Sequence, residues 1–552
     1  MKKVTLPLGT SDFAEIRREG WYYVDKTGLL KALLLDRRAN VTLITRPRRF
    51  GKTMGMNMLS NFFDIRKDSK ALFDGLEISK EPALCAQWMN QYPTLFLSFK
   101  SVDGLHFANA YGMLKFTLSQ VCIDHKYLGE SDAVDDTLKR QFYALKSREA
   151  SIDEVKTALL TLTKMMQAHY GKPVILLMDE YDVPLAKASA NGYYKEMLGV
   201  MKGIMQALKD NPALHLAVIT GCLRVAKESI FTGTNNFVSD TITASRLNEY
   251  FGFTQAEVDR LLQATGLTDH AADLKAWYDG YHFGPFDIYC PWDVMNYLQD
   301  LQFDPEAEPV SYWRNTSDNA IIRSFIDYSG PSISRKLEVL LSGGCITQTI
   351  EDDLTYDYLH SSEDNLWSIL YLTGYLTQAR ELPVSNGAIA LTIPNAEVEE
   401  IFRSTIQKWF KDSSKTWDRQ AMFRALWAGD GETLTRELGK LLRKTISYHD
   451  YKEDFYHAFL AGILAGSSYP VESNREHGEG RSDIVVYDEE NSRVVIFEAK
   501  YASSPEGLSQ ACDAALQQIE ARQYAEALRD DYDEILCYGI AFYKKRCLVK
   551  GT

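Results

Sequence analysis

Two short stretches hold residues whose types and spacing suit phosphorus chemistry. Arg46-Pro47-Arg48-Arg49-Phe50-Gly51-Lys52-Thr53 reads as the second half of a phosphate-binding loop. In such a loop, backbone N–H groups, a helix N-terminus and a lysine converge on one anion. Lys52 is expected to reach the β and γ phosphates of ATP, and the Thr53 hydroxyl to bind Mg2+. Far along the chain stand Gly480-Arg481-Ser482-Asp483 and Ile496-Phe497-Glu498-Ala499-Lys500. Asp483 and Glu498 offer hard oxygen ligands to Mg2+ or Mn2+, ions that lower the pKa of bound water and clamp phosphate oxygens. Lys500 would orient that water or stabilise charge on the phosphoryl group. Together the stretches predict a nucleotide-hydrolysing unit joined to a metal-dependent phosphodiester-cleaving one.

The elements that must position the first stretch lie around it. A helix over Gly28 to Leu35 precedes a β-branched strand from Val41 to Ile44, and helical pattern follows from Met54 to Phe63. Strand, loop, helix is the setting that a phosphate loop requires. One departure stands out: Arg46 and then Pro47 occupy the place of the first glycine, where the turn is tight. A second apolar strand, Val174 to Met178, runs into Asp179 and Glu180. Asp179 is placed to hold Mg2+ through water, and Glu180 to polarise the attacking water. The structural alternative for this pair is a helix cap. A third strand, Leu216 to Ile219, ends in Thr220, a candidate γ-phosphate sensor, with Arg224 as a candidate charge stabiliser or a structural arginine. Arg48 and Arg49 either extend the phosphate contacts or are solvated or ion-paired. Another strand covers Thr94 to Ser98, with helices over Val155 to His169 and Tyr193 to Lys209. Apolar strands alternating with helices predict an α/β domain, a parallel sheet covered on both faces.

Past residue 250 the texture becomes helical, with aromatic-rich loops at Trp277 to Gly284 and Tyr289 to Trp292. Three regions are expected: a nucleotide-binding domain over 1–250, a mostly helical lid or linker over 251–400, and a cleavage domain with preceding helices over 401–552. In the last, Ser482 to Tyr487 and Arg493 to Lys500 form a hairpin. Glu498 and Lys500 share one face of their strand, and Ala499 takes the other. Glu453, on a helix from Glu453 to Leu464, is a further metal-ligand candidate or a solvated position. Gln518 lies on a following helix, Leu508 to Leu528, and Arg475, Arg481 and Lys544-Lys545-Arg546 offer local positive charge.

Composition narrows the classes. A chain of 552 residues exceeds a single core. Eight cysteines without a C-x-x-C pair argue against a zinc knuckle or disulfide framework and for a reducing, cytoplasmic setting. No apolar run reaches membrane-spanning length, so no membrane partner is expected. A net charge of −14 excludes wholesale electrostatic wrapping of nucleic acid and leaves only local basic patches for it.

Tyr23-Val24-Asp25-Lys26-Thr27, the Arg46 to Thr53 stretch, Asp179-Glu180-Tyr181-Asp182 and Asn235-Asn236 resemble the AAA-ATPase-like proteins of bacteria. In that family the arginine–proline start of the loop is usual. The stretch from Gly480 to Asp483, Glu498-Ala499-Lys500 and Gln518 is similar to the PD-(D/E)xK nuclease superfamily, with Ser482 at the proline position. The resemblance implies a P-loop fold of the catalytic-glutamate class and a restriction-endonuclease-like α/β domain. It also implies nucleic acid as partner, DNA before RNA, while a homo-oligomer is an expectation of the broad ATPase class alone. Two rivals stay open: a nucleotide switch whose C-terminal domain only binds nucleic acid or protein, and a partner-binding scaffold without turnover.

Overall fold

The computed structural model describes residues 4–35, 39–224, 237–313, 331–352, 362–379, 387–414, 420–445, 469–477, 480–544 and 546–551, with isolated positions between them. The chain forms two compact units, Met1–Ser317 with Thr347–Glu397, and Asp318–Ile346 with Val398–Thr552.

The first unit is built on five parallel strands: β1 (Val41–Thr45), β2 (Thr94–Ser98), β3 (Val174–Asp179), β4 (Leu214–Gly221) and β5 (Phe237–Asp240). Their order is β2-β3-β4-β1-β5. Successive side chains on a strand face opposite ways. Leu43, Leu97, Leu176, Met178 and Ile219 therefore enter one core, and Ile44, Ile175, Leu177, Leu216 and Val218 the other. With both faces covered, the strands show unbroken apolar runs instead of alternation. Helices Gly28–Leu35 and Lys52–Phe63 cover one face through Leu29, Leu33, Leu59 and Phe62. Helices Phe107–Asp124, Ala158–Tyr170 and Tyr194–Ile204 cover the other through Leu114, Leu162 and Met201. The helix expected over Val155 to His169 is two, because Ser151 and Glu154 form a capping box that starts a separate short helix, Ile152–Lys156. Strand β5, with polar Ser239 and Asp240 in its four residues, was not expected from its composition.

Parallel strands bring their carboxyl ends to one edge of the sheet. β4 lies between β1 and β3, so the chain crosses over there, and the crevice outside the strand ends is where such sheets bind ligands. Ser98, Asp179 and Gly221 end β2, β3 and β4 at this edge, and Thr45 ends β1 there.

Of the middle of the chain, the parts up to Ser317 and from Thr347 to Glu397 pack within the same unit, whereas Asp318–Ile346 falls in the second. Helices Gln255–Thr265, Ala271–Tyr278, Pro291–Phe303 and Glu363–Leu372 accompany a hairpin, β6 (Tyr281–Phe283) with β7 (Phe286–Ile288), and a three-stranded sheet. That sheet is ordered β8 (Ile346–Thr349), β10 (Ala388–Thr392), β9 (Thr377–Gln378). The segments expected as aromatic loops are regular structure. Trp277 and Tyr278 end a helix, Tyr281 and Phe283 sit on the hairpin, and Pro291 opens a helix at the position its missing N–H favours.

The second unit carries a mixed sheet in chain order: β11 (Val471–His477), β12 (Gly480–Asp488), β13 (Arg493–Tyr501), β14 (Glu534–Tyr543) and β15 (Arg546–Gly551). Only β13 and β14 pair in parallel, and helix Leu508–Ala521 makes the crossover that parallel pairing demands. That helix ends earlier than the expected Leu528, which falls in a separate short turn, Glu526–Leu528. Among the described residues no helix is long and apolar enough to cross a membrane.

Candidate functional site

The phosphate loop leaves β1 with Arg46 N–H donating to Gly221 O at 3.1 Å, which ties it to the end of β4. Arg49 and Gly51 then take left-handed backbone at φ 71° and 84°. Glycine does so freely. Arg49 is held there with its guanidinium 4.1 Å over the Trp292 ring. Helix Lys52–Phe63 starts directly after Gly51, with no side chain capping its N-terminus, so its first-turn N–H groups face the loop.

Lys52 is 3% exposed. Its Nζ donates to Arg46 O at 3.1 Å and Pro47 O at 2.9 Å, and lies 3.4 Å from Glu180 Oε1. Burial works against the ammonium, but Cys222, Glu180, Asp182 and Asp179 outweigh it and hold the Lys52 pKa above its ordinary value. Asp179 is the hub of the strand ends. Thr53 Oγ1 donates to its Oδ2 at 2.9 Å, Thr220 Oγ1 to its Oδ1 at 2.6 Å, and Ser98 Oγ to its Oδ2 at 3.4 Å. Burial, with the nearby charge of Glu180, raises the Asp179 pKa against the pull of the Thr220 and Thr53 hydroxyls and of Lys52. Cys222 Sγ sits 3.6 Å from Lys52 Nζ, its thiol pushed up to about 12 by burial.

Several loop side chains face inward. The Arg46 guanidinium is fully buried, donates to Thr45 O and Asp240 O at 2.7 Å, and lies 5.3 Å from the Phe251 ring. The Arg46 side chain is thus turned into the sheet through Nη1, and its N–H is already taken by Gly221 O. Phe50 is 1% exposed and packs 5.0 Å from Tyr281 and 5.1 Å from Phe283 of the β6 strand. Pro47 packs on the turn at Gly374, whose φ is 87° and where a Cβ would stand 3.0 Å from Pro47 Cβ. Arg48 is half-buried, and so is Arg224, just beyond the end of β4. Near Arg49, Asp293 and Glu397 are both fully buried, and Glu397 Oε1 accepts from Trp313 N–H at 2.8 Å. Burial raises the pKa values of both carboxyl groups, and the charge of Asp293 adds to the rise at Glu397.

The Tyr23 to Thr27 segment turns out to be a tether. Asp25 Oδ1 accepts from Thr27 N–H and its hydroxyl, Asp25 Oδ2 accepts from Glu77 N–H, and Lys26 pairs with Glu257 at 2.7 Å.

In the second unit the β12–β13 ladder pairs Ile484 with Phe497 and Val485 with Ile496. The ladder stops at that first pair, and Asp483, the residue before it, reaches β13 with its side chain. There Asp483 Oδ2 accepts from Ala499 N–H at 2.8 Å. Glu498 is 1% exposed, with Lys500 Nζ 3.1 Å from its Oε1. Beside Glu498 in register is Gly539, where a Cβ would lie 2.4 Å from Cys512 O. Only glycine lets helix Leu508–Ala521 come this close. Gln518 is half-buried on that helix, beyond Ala515, which packs over Gly539. Glu453, Asn235, Asn236 and Lys545 lie outside the described residues. Among the described residues no group of three or more His, Cys, Asp or Glu is arranged to hold a metal ion.

The donors present fit the expected groups nonetheless. Thr53 and Asp179 pair a hydroxyl with a carboxylate at a helix N-terminus, a set suited to Mg2+ beside a nucleotide. Asp483 and Glu498 bring two hard carboxylates onto adjacent strands, and the near-complete burial of Glu498 calls for nearby positive charge. Sequence reasoning missed Ser98 and Cys222 at the first site. Ser98 was visible as the last residue of a strand, but nothing local marks Cys222.

Residues 7–231 match the family model described as predicted AAA-ATPase, and residues 451–551 match that of the PD-(D/E)XK nuclease superfamily. A protein of Azotobacter chroococcum mcd 1, described as "Uncharacterized protein in vnfD 5'region", is 25% identical over 571 residues, spanning 100% of this chain and 99% of that protein.

Proposed function

We propose that this chain, which joins an AAA-ATPase-like segment to a PD-(D/E)XK nuclease-like one, hydrolyses ATP and uses its nucleotide state to regulate metal-dependent cleavage of nucleic acid. The observation that carries the first half is the convergence of Lys52, Thr53, Asp179, Glu180 and Thr220 on one sheet edge. Lys52 and the first-turn N–H groups bind and orient the phosphates. Glu180 takes the proton of the attacking water. Thr220 and Ser98 orient the Asp179 carboxylate. Mg2+, when bound at Thr53 and Asp179, supplies neutralisation of phosphate charge.

At the second site Asp483 and Glu498 hold Mg2+ or Mn2+, which supplies activation of water toward the phosphodiester. Lys500 orients the Glu498 carboxylate and stabilises charge on the phosphoryl group. Regulation is supported by the packing of Pro47, Arg49 and Phe50 on the turn at Gly374, Trp292 and the β6 hairpin strand. Movement of the loop on nucleotide binding would press on these elements. DNA is the favoured substrate, in a cytoplasmic setting.

A second reading, a nucleotide switch with a binding-only C-terminal unit, draws on the engagement of Asp483 by Ala499 N–H and of Glu498 by Lys500. The test is cleavage of a panel of labelled DNA and RNA with Mg2+ or Mn2+, with and without ATP, beside Asp483→Ala/Lys500→Ala. Cleavage lost in the variant supports the nuclease. No cleavage by a folded, ATP-hydrolysing protein supports the switch.

A further inference from the structure

Glu180 has φ 54°, a left-handed backbone that a residue bearing a side chain adopts only when its surroundings enforce it. The next two residues supply the enforcement. Tyr181 N–H donates to Thr220 O at 3.0 Å, and its hydroxyl donates to Leu223 O at 2.8 Å. Asp182 Oδ2 accepts from Cys222 N–H at 3.0 Å and Leu223 N–H at 2.9 Å. The register of β4 with β1 ends at Gly221, so these two amides lie beyond the ladder and need other acceptors. Asp182 is 1% exposed, and a Cβ on Gly221 would stand 2.6 Å from its Oδ1. The strand end and the turn are therefore in direct contact.

We propose that Asp182 is the positioning residue of the ATP site. By bridging the Cys222 and Leu223 amides, it clamps the end of β4 to the turn after β3 and so holds Glu180 left-handed beside Lys52. The clamp rests on the reading of Glu180 as the base.

The test uses the full chain in two parts. In the first, Asp182→Ala lowers kcat for ATP about 10²-fold through misplacement of the base. ATP affinity stays close to wild type, while the melting temperature drops because two buried amides lose their acceptor, so kcat is read at a temperature where the variant is folded. Asp182→Asn, whose carbonyl oxygen can accept both amides, recovers most of the rate. In the second part, Glu180→Gly melts above Glu180→Ala, because glycine relieves the left-handed strain. This gap closes when Asp182→Ala is added, because the turn relaxes. Wild-type kcat in Asp182→Ala, alongside an inactive Glu180→Gln, overturns the clamp. A wild-type rate in Glu180→Gln sinks the base reading instead, and the melting gap then decides the clamp alone: an equal gap in both backgrounds, or none in either, overturns it. If Asp182→Ala does not fold, Asp182→Ser, whose shorter side chain withdraws the carboxylate from both amides, carries the same comparisons.

Discussion

At the edge of the first sheet one carboxylate, Asp179, takes hydroxyls from a neighbouring strand, a helix and a crossover strand. On the second sheet Asp483 takes a backbone N–H from the strand it faces, and Glu498 is met by the lysine two residues along its own strand. The first site gathers residues distant in sequence because parallel strands deliver their carboxyl ends to one edge. The second lies where an antiparallel hairpin brings residues near in sequence onto adjacent strands. The first is also braced from outside by Trp292, Tyr281 and Phe283 against its loop, so a change there is felt by a larger structure.

The strongest way to break the comparison is Lys52→Ala. ATP hydrolysis, read as phosphate release, is expected to fall about 10³-fold, as for the loss of a preorganised donor to developing charge. Any basal cleavage without ATP should survive, and its loss would show that the two sites are not separable. The converse variant, Asp483→Ala/Lys500→Ala, should abolish metal-dependent cleavage and leave the ATP hydrolysis rate near wild type. Phe50→Ala sharpens the contrast in bracing. Emptying this buried aromatic site should cost about 3–5 kcal/mol in denaturant unfolding. It should also uncouple cleavage from ATP, whereas hydrolysis unlinked from cleavage in the wild type would remove the coupling proposal.

The smallest effect concerns the buried acid pair near Arg49. Burial raises the folded-state pKa of Glu397 above its unfolded value. Its contribution to stability is therefore complete below the ordinary carboxylate range and is lost as pH rises toward the raised value. Glu397→Gln removes the titration. Wild type should lose up to about 1.4 kcal/mol per pH unit more than the variant through neutral pH. Parallel pH-melting curves for the two proteins would refute it.

Much of the fold was legible because buried parallel strands are written as unbroken apolar runs. Val174 to Met178 and Thr94 to Ser98 announce themselves in this way, and the hairpin around Asp483 and Glu498 follows from period-two logic. The middle region was read less well. Its aromatic residues look like loop punctuation, yet Tyr281 and Phe283 form a hairpin strand whose purpose is to pack on Phe50. Arg46 reads as the first residue of the phosphate loop, and only the fold shows its guanidinium turned inward, with Nη1 on Thr45 O and Asp240 O.

By itself the sequence determined which residue types could act and on which local element each stands: Lys52 and Thr53 at a helix start, Asp179 and Glu180 at a strand end, Asp483 and Glu498 on facing strands. These follow from backbone periodicity and turn chemistry, which are local. Tertiary structure alone decided that Ser98 and Thr220 share Asp179, that Cys222 borders Lys52, and that Asp182 reaches the amides beyond β4. Strand order sets which ends become neighbours, and that order depends on long-range packing that no short stretch of chain encodes.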